Sequence, residues 1–97
     1  DRFRRDGLDV ESDLALDIAS ASLGTRRDVE TLTGKVELAV PAGVQPGTRL
    51  RLKGRGIQNH KGRTGDHYVK IRVKVPKKLT EKQRALLEEF LTEDGDE

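Results

Sequence analysis

Between Asp13 and Ala19 the chain alternates, with Leu14, Leu16 and Ile18 on one side and Asp13 and Asp17 on the other. That is the pattern of a strand with one wet face. The alternation returns at Lys35–Val40, where Val36, Leu38 and Val40 share a side until Pro41 stops the run. It returns again at Arg49–Lys53, with Leu50 and Leu52 inward, and over Asp66–Val75, with Val69, Ile71, Val73 and Val75 inward. A shorter β-prone run, Asp28–Leu32, ends before Gly34, and Ser20–Gly24 reads as one helical turn closed by glycine. Pro46-Gly47 is a type II turn signal, because proline presets φ and glycine accepts φ > 0. The period changes only after Pro76. Thr80 and Gln83 form a T-x-x-Q capping box, and Leu86, Leu87, Phe90 and Leu91 make one apolar helical stripe over Glu81–Leu91.

These patterns predict a mainly β fold: a small antiparallel two-sheet domain, sandwich- or barrel-like, followed by a C-terminal helix. The β-domain covers residues 1–78, and the helix with an acidic, frayed tail covers 79–97. The glycine-rich stretch Gly54–Gly65 reads as a mobile basic loop.

At 97 residues with 33% hydrophobic content, the chain supports one thin core. It has no Cys, so a disulfide framework and a thiolate zinc site are excluded. No apolar run approaches the roughly 18 residues of a membrane-spanning helix. Residue 1 is Asp, and the opening reads as the middle of a longer chain. The net charge is only +2, but it is unevenly spread. Residues 49–78 carry eleven Lys/Arg against the single Asp66, whereas residues 79–97 carry two against seven Asp/Glu. Such a pattern suits either a polyanion-binding face or contacts between segments of opposite sign.

Catalysis finds little support. His60 and His67 are the two histidines, and no motif sets a base beside a nucleophile. Gly54-x-Gly56 lacks the third glycine and the helix of a dinucleotide fingerprint, and no Gly-Lys-Ser/Thr follows it. A basic nucleic-acid-binding β-domain using the Gly54–Gly65 loop is the alternative reading. Arg49, Arg51, Lys53, Arg55, Lys61 and Arg63 are placed to track phosphates, but Tyr68 is the nearest aromatic for stacking. Outward cations also keep a thin sheet soluble and blunt its edges, which weighs against nucleic acid.

One ordered succession of motifs is more specific. It runs Phe3-Arg4-Arg5-Asp6-Gly7-Leu8-Asp9, Asp13-Leu14, Ala21-Ser22-Leu23-Gly24 and Thr31-Leu32-Thr33-Gly34. It continues through Val40-Pro41-Ala42-Gly43-Val44-Gln45-Pro46-Gly47, Arg51-Leu52-Lys53-Gly54-Arg55-Gly56, Gly65-Asp66, Val75-Pro76 and Leu79-Thr80-Glu81-Lys82-Gln83. In order and spacing this resembles the second C-terminal β-domain of DnaJ (Hsp40) co-chaperones, with the start of their dimerisation region. The resemblance implies a non-enzymatic, cytoplasmic or organellar chaperone module that needs no cofactor. Its partners would be unfolded client polypeptides and a second copy of itself, with no membrane involved. Hsp70 would be engaged through a J-domain whose His-Pro-Asp motif these residues do not contain, since neither His60 nor His67 precedes Pro. By analogy with the family's first β-domain, Leu14, Leu16, Val29 and Thr31 would line a client groove beside a strand edge. Leu14 and Leu16 equally suit the core. Leu86, Leu87, Phe90 and Leu91 would form the dimer contact, or else Leu87 and Leu91 would dock on their own sheet.

Overall fold

The computed structural model describes residues 3–93. The acidic end of the tail, 94–97, lies outside them. Strand β1 (Arg4–Asp6) turns at Gly7, whose φ of 63° suits a tight hairpin, into β2 (Asp9–Asp17). Helix α1 (Ile18–Leu23) follows directly, because the Asp17 carboxylate accepts a 2.7 Å hydrogen bond from the Ser20 amide and caps it. That cap takes Ile18 and Ala19 out of the strand that alternation assigned them to. Gly24 closes the helix at φ 87°, its amide donating to Ser20 O.

Strands β3 (Thr25–Thr31) and β4 (Gly34–Val40) form a hairpin that is its own two-stranded sheet. Strands β5 (Arg49–Leu52) and β6 (His67–Lys74) complete a four-stranded sheet in the order β1-β2-β6-β5. A mainly β domain of two sheets with a C-terminal helix is therefore what the sequence specifies. One pairing departs from the antiparallel expectation: β2 and β6 run parallel, from Val10 opposite His67 to Asp17 opposite Lys74. The long connection from α1 to the end of β5 supplies the crossover that a parallel pair requires.

The core gathers between the sheets. Leu16, Ala21, Val29, Leu38, Val40, Val44, Leu52, Val69 and Ile71 are buried together, and Leu14, Val36, Leu50 and Val73 pack against them. It is an aliphatic core without an aromatic side chain. Val75, which alternation aligned with Ile71, is 76% exposed because β6 ends at Lys74.

The segment Gly54–Gly65 is ordered, contrary to its reading as a mobile loop. Gln58 and Thr64 form an antiparallel bridge, Ile57 donates its amide to Leu8 O at 2.8 Å, and Gly65 donates to Ile57 O at 3.0 Å. At the tip, the Asn59 side chain accepts from the amides of Lys61 and Arg63. Backbone bonds fix this segment, and apolar periodicity does not report them.

Helix α2 (Glu81–Glu93) starts at the capping box as predicted. The Thr80 amide donates to Gln83 Oε1 at 2.9 Å, and the Gln83 amide donates to Thr80 Oγ1 at 3.1 Å. Every residue of the helix is exposed. The described chain is correspondingly long, measuring 57 × 25 × 19 Å.

Candidate peptide groove and helix face

Strand β1 is short, and this creates an edge. It pairs with β2 only over Asp9–Glu11, so from Ser12 onward that side of β2 has no strand beside it among the described residues. A groove of about 360 Å³ opens there, between β2 and β3. Phe3, Leu14 and Val29 give it apolar surface, while Arg4, Ser12, Asp13, Asp28 and Glu30 provide polar walls.

Of the four residues assigned to a client groove, Leu14 and Val29 line this one. Leu16 is only 1% exposed and belongs to the core beneath it. Thr31 is buried in the β3–β4 turn, where its hydroxyl donates to Gly34 O at 2.6 Å and accepts from the Thr33 amide. Periodicity missed Phe3, Arg4 and Ser12, since a strand reading Arg-Arg-Asp has no apolar alternation. The signal was Asp6-Gly7, a hairpin dipeptide that pairs the preceding residues with β2.

A charge lattice holds the outer face rigid beside the groove. The Arg4 guanidinium bonds to Glu11 at 3.0 Å and to Asp13 at 2.7 Å. Arg49 reaches Glu11 from β5 at 2.8 Å, and Arg72 reaches Asp13 from β6 at 3.4 Å. Hydrogen bonds from Arg4 hold both carboxyls below their ordinary range, and the same bonds raise Arg4. Arg51 approaches Asp66 at 3.7 Å, and Arg49 also lies 4.4 Å above the Tyr68 ring. Arg49 and Arg72 of the basic 49–78 stretch are thus paired with carboxylates of β2.

Behind Ser12, which lines the groove, lies a buried polar pair. Ser12 Oγ and His67 Nε2 share a hydrogen bond of 2.7 Å, and His67 has no exposed surface. No motif along the chain sets a base beside a nucleophile, yet the parallel register brings these two together. They do not make a triad. The Nδ1 atom has no partner among the described residues, so no carboxylate orients the ring, and burial pushes its pKa down. The Phe3 ring meets the imidazole edge-to-face, with centroids 5.5 Å apart.

A second cleft, of about 610 Å³, separates α2 from the end of β6. Ile18, Val75, Pro76 and Leu79 face Leu86 and Leu87 across it. Leu87 is 36% exposed, whereas Phe90 and Leu91 are 65% and 71% exposed. Among the described residues no cluster of side chains could hold a metal ion, and no helix is long and apolar enough to cross a membrane.

The model of the DnaJ C-terminal domain matches residues 1–76. The chain belongs to the DnaJ C-terminal domain family. It is 50% identical over 95 residues to the chaperone protein DnaJ of Geobacillus kaustophilus, covering 97% of this chain and 25% of that one. The DnaJ of Geobacillus thermodenitrificans is 52% identical over 89 residues, which is 91% of this chain and 23% of the relative. That of Halalkalibacterium halodurans is 46% identical over 94 residues, 96% and 25% of the respective chains. The chain thus spans about a quarter of the length of these relatives.

Proposed function

We propose that this domain is the client-holding and self-associating part of a DnaJ co-chaperone that delivers unfolded polypeptide to an Hsp70. The observation that carries this reading is the edge of β2 that has no strand beside it among the described residues, next to a groove lined by Leu14 and Val29. An extended peptide added to that edge continues the sheet in line with β1, pairing its backbone and directing alternate side chains toward the floor. Such a site recognises extension and apolar character rather than one sequence, as a chaperone requires. The parent would be a soluble protein of the cytoplasm or an organellar interior.

Helix α2 serves assembly in this reading. A helix of 13 residues with no buried side chain is marginal in water on its own. Burying Leu86, Leu87, Phe90 and Leu91 would contribute roughly 6–12 kcal/mol before entropy losses, at about 1.5–3 kcal/mol each. A second copy related by a two-fold axis would cover the stripe with its own.

Peptide binding followed by fluorescence anisotropy tests the groove. An unfolded, apolar probe polypeptide should bind with an affinity that changes little between about 50 and 200 mM salt, whereas six phosphate-like contacts would cost roughly a thousandfold. Leu14→Asp should weaken binding at least about tenfold while the domain stays folded, because Leu14 is only half-buried. Undiminished binding by that variant would remove the groove from the account.

A further inference from the structure

Phe3 occupies an unusual position for an aromatic side chain in this molecule. The domain's buried core is wholly aliphatic, and Phe3 is outside it. The β1–β2 register, with Arg4 opposite Glu11, puts Phe3 on the line facing Ser12. Ser12 is the first residue of β2 beyond the β1 pairing, and past it no strand lies on that side among the described residues. Phe3 lines the groove together with Leu14 and Val29, is itself half-buried, and places its ring edge-on to His67. Beneath it, Ser12 and His67 are held to each other, and His67 Nδ1 has no partner among the described residues. The Phe3 ring thus walls one side of the groove and packs against the His67 ring behind it.

We propose that Phe3 is an internal lid, occupying the end of the groove until an aromatic side chain of a client displaces it and takes its place against the His67 ring. This rests on the reading of the groove as the client site and adds how its occupancy is regulated. The displaced contact is a single edge-to-face pair at an otherwise open cleft. Exchange of one ring for another therefore conserves the aromatic contact, while an aliphatic client gains no such replacement.

The test uses the 97-residue chain and two fluorescein-labelled peptides, Ser-Leu-Gln-Phe-Gln-Leu-Ser and the same peptide with Ala in place of Phe. Ring-labelled Phe3 is followed by NMR while affinity is read from anisotropy. Saturation with the Phe peptide should move the Phe3 ring resonances to the values of a solvated side chain, and the Ala peptide should leave them in place. Phe3→Ala should bind the Phe peptide about three- to tenfold more tightly, the range set by one aromatic pair. Phe3→Leu, which keeps bulk over His67, should lie between the two proteins. Phe3 resonances that stay fixed at saturation, with unchanged affinity in both variants, overturn the lid and leave the groove standing. Failure of either peptide to bind any of the three proteins overturns the groove reading itself.

Discussion

At His67 a titratable ring lies wholly inside the sheet, bonded to Ser12 through Nε2 and unpartnered at Nδ1. Burial lowers its pKa below the ordinary histidine value of about 6.5. The unfolded chain therefore takes up a proton below about pH 6.5 while the folded chain does not. Stability is level above that pH and falls as the pH drops, by at most about 1.4 kcal/mol per unit from this one group. Glu11 and Asp13 do not enter this window: their lowered pKa values stabilise the fold above the unfolded carboxyl range, and that contribution is lost only in stronger acid. The urea midpoint should therefore be lower at pH 5.5 than at 7.5, and His67→Gln should shrink the difference. An equal difference in the variant would assign the effect elsewhere. Nothing local in the sequence reveals this burial, because His67 is polar and sits one residue from the basic segment's only acid. It becomes visible only when the parallel register sets it against Val10.

Among the elements, the Gly54–Gly65 segment shows why composition misled. Its cations are exposed, but its order comes from backbone bonds and close approach. A Cβ on Gly65 would strike the Leu8 carbonyl, and one on Gly56 would meet both Leu8 O and the Gly65 carbonyl carbon. Changing Arg55, Lys61 and Arg63 together to Ser should alter the stability by no more than about 0.5 kcal/mol per site. Gly65→Ala alone should cost about 1–3 kcal/mol, the usual toll of overpacking a fixed site. Urea unfolding of both variants checks the contrast, and reversed magnitudes would show that the charges, not the glycines, fix the segment. Helix α2 was legible down to its cap, because Thr80, Gln83 and the leucine stripe all act locally. Strand β1 was not, since its residues are polar and it exists only as the partner of Asp9–Glu11. If the exposed stripe of α2 is an assembly face, sedimentation equilibrium should show a dimer at hundreds of micromolar. Leu87→Asp with Phe90→Asp should then yield a monomer of unchanged fold. A wild type that stays monomeric would leave the stripe without that role.

Across the whole molecule, alternation identified which side chains face inward but not which strands are neighbours. Leu14 and Leu16 share a strand and a face. Leu16 is buried in the core cluster, and Leu14 packs against that cluster while bordering the groove. Thr31 and Val29 are both buried, but Thr31 is bonded into the β3–β4 turn whereas Val29 belongs to the core and borders the groove. The site is thus a product of strand length and sheet order, which only the assembled fold displays. Backbone amide NMR on the chain, titrated with an unfolded probe polypeptide, reads directly where a peptide docks. The largest shifts should fall along the β2 edge, Ser12–Ala15, and on the facing residues Asp28–Glu30. Shifts confined to Gly54–Gly65 or to α2, with the β2 edge unmoved, would contradict that placement.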